Sequence, residues 1–249
     1  MKKTLLTILM VFSFSSAYAL PINDRVSTLD PGPGDGNETS VQDILDSFTD
    51  YSIDAVEDQS NVALWNPSEN DAVAYKVTYW TGNTGSFGLY NASGIEATLF
   101  SKTASSPINP TDAVSAVFQF YTSGGLSVTT SYGEGVAPDY EYYEDFGTTF
   151  GFFWDGAYTE DDKNNGTIYS LVYNVPIGTE LTFPDGQLGG TVSGNNDWVI
   201  AFGDQGGVND DFNDLIVFVE DIAPVPEPAT LLLLGSGLVG LAFLTRRQS

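Results

Sequence analysis

The chemistry in this sequence is concentrated in oxygen ligands. The stretch Gly203-Asp204-Gln205-Gly206-Gly207-Val208-Asn209-Asp210-Asp211-Phe212-Asn213-Asp214 mixes glycines with Asp and Asn. Glycine lets the backbone curl tightly, and calcium takes about 6–8 oxygens at about 2.3–2.6 Å, backbone carbonyls included. Asp204, Asn209, Asp211, Asn213 and Asp214 could converge on such an ion if the loop closes between two paired strands. The spacing is not that of the helix–loop–helix calcium motif, which needs Asp-x-Asp-x-Asp-Gly and a distant Glu. Asp and Asn also favour turns by bonding to local backbone, so an acidic hairpin that binds nothing fits the same letters. Dense like charge costs stability without a counter-ion, which tilts the reading towards calcium.

Two other acidic runs carry less. Glu160-Asp161-Asp162-Lys163-Asn164-Asn165-Gly166 reads first as a hairpin loop. Tyr132 to Phe146 interleaves Asp139, Glu141, Glu144 and Asp145 with Tyr140, Tyr142 and Tyr143. Exposed tyrosines present flat apolar faces with a polar tip, suited to sugar rings. The plainer reading of that run, and the favoured one, is an acidic loop anchored by its aromatics. Trp65, Trp80 and Trp154 complete the set of candidate glycan contacts.

The missing residues exclude much. The 249-residue chain has no histidine and no cysteine, so Ser-His-Asp and Cys-His nucleophiles and the usual zinc sites are out. Carboxylate pairs of the glycosidase kind remain, but abundant acids make chance pairs common, and the chain reads as a non-enzyme. Between residues 20 and 228 stand four basic and 33 acidic residues, a formal charge of −29. Nucleic acid is thereby excluded as a partner, because phosphate binding needs clustered Lys and Arg. Without disulfides the domain must rely on its core.

The elements that must position these groups read as strands. Ala72–Trp80 alternates with Val73, Tyr75, Val77 and Tyr79 on one face, and Ala113–Tyr121 repeats the period of two. Further candidates are Ser86–Tyr90, Glu96–Ser101, Leu126–Ser131, Thr149–Trp154, Thr167–Tyr173, Glu180–Phe183, Trp198–Phe202 and Leu215–Glu220. Many short strands with frequent turns predict an all-β fold, one β-sandwich or jelly-roll-like domain over residues 61–222. Residues 20–60 read as an acidic linker. Within it Ser40, Asp43 and the spacing of Val41, Ile44, Leu45 and Phe48 predict a short capped helix or an amphipathic cover on the sheet. Residues 223–228 read as a Pro-rich exit linker.

The ends read as addresses. Met1-Lys2-Lys3, an apolar run from Leu5 to Phe14 and Ala17-Tyr18-Ala19 form a signal peptide, residues 1–19, cut after Ala19 by signal peptidase. At the other end, Val225-Pro226-Glu227-Pro228 precedes an uncharged stretch from Ala229 to Leu244, and Arg246-Arg247 follow. Residues 229–245 are a marginal single transmembrane helix, since spanning takes about 17–25 residues, and the arginines would lie on the cytoplasmic side. On physics alone this is an anchor. The order of parts from 225 to 247, however, resembles the PEP-CTERM sorting signal of Gram-negative bacteria. That resemblance implies an exosortase as processing partner, a transient stay at the inner membrane and a final place at the cell surface or outside it. It also implies association with exopolysaccharide in a biofilm matrix.

A second resemblance covers residues 147–220. Val199-Ile200-Ala201-Phe202-Gly203-Asp204, Gly206-Gly207 and Asp211-Phe212-Asn213-Asp214-Leu215 look like the C-terminal signature of the domain-of-unknown-function family numbered 4114. Phe150-Gly151-Phe152-Phe153 resembles its upstream strand. One carboxylate is missing, since Gly203-Asp204 stands where a Glu-Asp pair is common. The family implies an exported β-domain and, weakly, calcium. The expectation is an exported, exosortase-processed surface or extracellular-matrix structural protein, with a carbohydrate-binding module or adhesin domain as the alternative.

Overall fold

Strands form where the apolar pattern has a period of two, and also where it has none. In a computed structural model, residues 26, 29, 39–79, 85–102, 113–133, 136–183, 189–203 and 212–225 are described. One helix, α1 (Val41–Phe48), precedes thirteen strands: β1 (Trp65–Pro67), β2 (Asp71–Tyr79), β3 (Gly85–Asn91), β4 (Glu96–Lys102), β5 (Ser115–Phe120), β6 (Leu126–Ser131), β7 (Asp139–Tyr143), β8 (Phe150–Trp154), β9 (Ala157–Tyr158), β10 (Ser170–Asn174), β11 (Trp198–Phe202), β12 (Leu215–Glu220) and β13 (Ile222–Pro224). They make two antiparallel sheets. The larger runs β10-β11-β12-β2-β5-β6-β7, and the smaller runs β13-β1-β8-β3-β4 with β9 on β8. This is the expected all-β sandwich.

The two sheets close on one aromatic-rich core. Trp65, Phe87, Leu89, Phe150 and Phe152 of the smaller sheet pack against Phe118, Trp198, Ile200, Phe202 and Val217 of the larger. Trp65 meets Phe152 at 5.2 Å and Trp198 at 6.3 Å, both edge to face, the geometry that ring quadrupoles favour. Gly88 lets β3 and β4 approach, because a Cβ there would lie 2.1 Å from the Ala97 carbonyl oxygen. Asp155 and Gly156 both take positive φ between β8 and β9, as a two-residue hairpin turn demands.

A second apolar layer lies on the outer side of the larger sheet. Val41, Ile44, Leu45 and Phe48 of α1 pack on Leu171, Tyr173, Val199, Ile216 and Phe218. Ser40 caps α1, its Oγ accepting from the Asp43 N–H at 3.1 Å and donating to Asp43 Oδ2 at 2.9 Å. Residues 40–60, expected within a linker, are therefore a cover on the sheet. The cover explains why β11 and β12 are buried at nearly every position, since both their faces are enclosed.

Four segments depart from expectation. Asp139–Tyr143, expected in a loop, is the edge strand β7, paired along β6. Glu180–Phe183 is no strand; Leu181 and Glu180 make only isolated bridges to Thr49 and Thr191. The strand expected from Thr167 begins at Ser170, after a 3-10 turn at Asp161–Asn164. Ala223 and Pro224, expected in the exit linker, pair with Asn66 and Trp65 and complete β13. Among the described residues, no helix is long and apolar enough to cross a membrane.

Candidate functional site

Tyrosines on an uncovered sheet face. Among the described residues, the α1 cover does not reach the β5-β6-β7 end of the larger sheet. Across it, register places Val117 beside Thr129 and Thr129 beside Tyr140; one step on, Gln119 stands beside Ser127 and Ser127 beside Tyr142. Side chains two apart share a face of a strand, so these six line one surface. Tyr140 is 64% exposed, Tyr142 48%, Val117 41%, and neighbouring Tyr121 38%. Tyr121 and Tyr142 pack edge to face at 5.9 Å. Tyr142 leans over Gly125, where a Cβ would come within 2.1 Å of its hydroxyl. The Tyr121 hydroxyl donates to Gln119 Oε1 at 3.0 Å and lies 3.2 Å from Ser127 Oγ. The Tyr121 and Tyr142 rings are thus held in place and flanked by hydroxyl and amide groups.

Tyr143 does not belong to this face. It packs inward beside Phe146, accepts the Thr98 N–H at 3.2 Å and donates to Glu141. Burial, and then the Glu141 carboxylate, push its phenol up to about 12. Trp65 and Trp154 are core residues, 0% and 3% exposed, so neither can stack on a sugar. Trp80 lies outside the described residues. Val117 and Tyr121 were not singled out from sequence, although the alternation of Ser115–Phe120 already put Val117 opposite the core face.

Of the five calcium candidates, Asp204, Asn209 and Asp211 lie outside the described residues. Asn213 is 1% exposed. Its Nδ2 donates to the Thr39 carbonyl at 3.0 Å, while its Oδ1 is a buried acceptor without a hydrogen bond among the described residues. Asp214 is half-buried at the start of β12. No group of three or more acidic residues stands in metal-holding geometry among the described residues. The Glu160–Gly166 run closes on itself: Asn164 is latched to the Tyr158 backbone at both ends of its amide, and the Lys163 ammonium sits 4.7 Å from the Tyr90 ring centre.

A different acidic group was not foreseen. Asp221 is the single residue between β12 in one sheet and β13 in the other, and it takes φ +63°. Its N–H donates to Asp197 Oδ1 at 3.2 Å, and Asp197 is 4% exposed. Burial, then the charges of Asp197 and Asp221, raise the Glu220 carboxyl to about 7, against a hydrogen bond with Tyr75 that lowers it. Asp197 is raised chiefly by burial, and Asp221 by burial and then by Glu69 and Asp71. This joint shows only in three dimensions, because Asp197 and Asp221 are brought together by the passage between sheets.

The sorting residues begin where β13 ends. Val225 donates its N–H to the Leu64 carbonyl at 2.9 Å. Pro226, Glu227, Pro228, Arg246 and Arg247 lie outside the described residues, as do Ala17 and Ala19 at the other end. No curated protein and no solved structure matches the chain. A family model described as the PEP-CTERM protein-sorting motif matches residues 224–247, so the tail that leaves β13 carries the signal of an exosortase substrate, exported and processed at the membrane on its way to the surface.

Proposed function

We propose that this is a non-catalytic structural protein of the cell surface or extracellular matrix, which reaches its place through exosortase processing and there holds exopolysaccharide. The matched sorting motif supports the route. The observation that carries the binding role is the open sheet face bearing Tyr140 and Tyr142, with Tyr121 braced beside them. Tyr140 and Tyr142 stand two residues apart on a strand, about 7 Å, so that sugar units of one chain can lie over successive rings. Gln119 and Thr129, both half-buried on the same face, offer hydrogen bonds beside them. Two further parts of the reading are a calcium ion held by Asp204, Asn209, Asp211, Asn213 and Asp214, and kinship of residues 147–220 with the family numbered 4114. The buried Asn213 Oδ1, without a hydrogen bond among the described residues, supports the calcium.

The test is retention of the chain on insoluble polysaccharide, with Tyr140→Ala/Tyr142→Ala as the variant. The flat apolar faces of the two rings are what a sugar unit would cover, so losing both should weaken retention several-fold or more. The melting temperature should stay near that of the parent, because both rings are exposed. Equal retention of the double variant would remove the tyrosine face from the function.

A further inference from the structure

The sorting motif and the folded domain overlap. The matched region starts at residue 224, yet Pro224 is paired with Trp65 in β13, and Val225 is bonded to Leu64. Three residues, Pro226 to Pro228, separate Val225 from Ala229, where the apolar stretch begins, a span of four Cα–Cα steps. Fully extended, they reach at most about 14 Å. The polar layer of one leaflet takes about 5–7 Å of that. What remains is about 7–9 Å between the edge of the sandwich and the membrane surface, less than the width of a single α-helix, about 10–12 Å. A protease element cannot enter that gap to reach Pro226, Glu227 and Pro228 while β13 stays in place.

β13 is also built to come away. It is the outermost strand of its sheet and only three residues long. The ladder is pinned only at alternate residues, with Val225 N–H bonded to Leu64 and Ser68 N–H to Asp221, while Pro224 and Pro67 stand at the intervening positions that face away from the partner strand. Ala223, Pro224 and Val225 are half-buried, whereas Ile222 is wholly buried, its carbonyl accepting from Trp198 Nε1 at 2.9 Å and its N–H donating to Asn196 at 3.0 Å. Peeling would therefore stop at Ile222. It would free three residues, lengthening the tether by about 10 Å and opening a gap that a helix fits.

Resting on the exosortase reading above, we propose that Ala223–Val225 is a strap on the folded domain that must lift from Leu64–Asn66 before the sorting motif can be processed. Processing is then coupled to local opening of one sheet edge, and the protease meets the β1 edge of this domain as well as the motif.

The chain has no cysteine, so one engineered pair can lock the strap. Asn66 and Ala223 face each other across β1 and β13, at a separation that cross-strand disulfides bridge. Maturation of the full chain is followed by intact mass in cells with and without an exosortase. N66C/A223C should mature several-fold more slowly than either single variant, and reductant should restore the parent rate. Inserting a flexible linker of about ten glycine and serine residues, about 17 Å in root-mean-square length, after Val225 should speed maturation of the otherwise unchanged chain and should free the locked pair from its delay. Equal rates for locked and reduced chains, or no gain from the linker, would overturn the strap. If the parent chain keeps its tail in the presence of the exosortase, the sorting reading itself falls.

Discussion

Raising the pH from 5 to 8 should destabilise this domain, and the reason lies at the joint between its sheets. Histidine, the side chain that ordinarily titrates in that window, is absent. The Glu220 carboxyl, moved from 4.5 to about 7 by burial and by the charges of Asp197 and Asp221, takes its place. A carboxyl whose folded value lies above its unfolded one binds more protons in the folded state. Its stabilising contribution is therefore present at low pH and lost as pH climbs from about 4.5 through about 7. At full weight that gap corresponds to about 3 kcal/mol; Glu220 is only half-buried, and solvent screening brings the figure to about 1–2 kcal/mol. For a domain of this size each kcal/mol moves the midpoint by about 2–4 °C, so melting should fall by about 2–8 °C between pH 5 and pH 8. The assay is thermal unfolding of the full chain in mild detergent at constant ionic strength. Glu220→Gln, which keeps the neutral shape at every pH, should raise the pH 8 midpoint and flatten most of the slope. A midpoint that rises with pH, or a slope unaltered in Glu220→Gln, would refute the reasoning.

Two further outcomes follow from the packing and from the acidic loop. Gly88→Ala drives a methyl into the Ala97 carbonyl oxygen and to 2.8 Å from Phe153 Cε1; a loss of about 3 kcal/mol, in the upper range for single changes, should appear in urea unfolding, and an unchanged midpoint would show that β3 and β4 do not meet there. For the calcium proposal, a chelator should lower the melting temperature of the parent chain but not of Asp211→Ala/Asp214→Ala, and a melt insensitive to chelator would remove the ion.

The sequence spoke clearly wherever a strand has one wet face. Ser115–Phe120 alternates because Ala116, Phe118 and Phe120 meet the core while Val117 and Gln119 do not. Trp198–Phe202 and Leu215–Glu220 were legible as apolar runs, but the reason for their unbroken character, a helix on the far side, was not. Asp139–Tyr143 hid because an edge strand with four exposed residues has almost no core face to advertise; Tyr140 and Tyr142 are the outward set, the reverse of the usual pattern. For the same reason Tyr143 could not be told from Tyr140 and Tyr142 until the register with Leu126, Ser127 and Thr129 was known. Ser40 with Asp43 marked the start of α1 because that pairing is local. Asp197, Glu220 and Asp221 escaped notice because their meeting depends on where the chain changes sheets.

Strand order also bears on how the chain must travel. β2, begun at Asp71, lies between β5 and β12, and its β12 partner runs only from Leu215 to Glu220; β1 waits still longer, for Ile222–Pro224. Contacts so distant in sequence fold slowly, since loop closure must precede any reward. Neither sheet can be completed until almost all of the polypeptide has left the export channel. The last strands of both sheets are thus supplied just ahead of, or within, the matched sorting motif at residues 224–247.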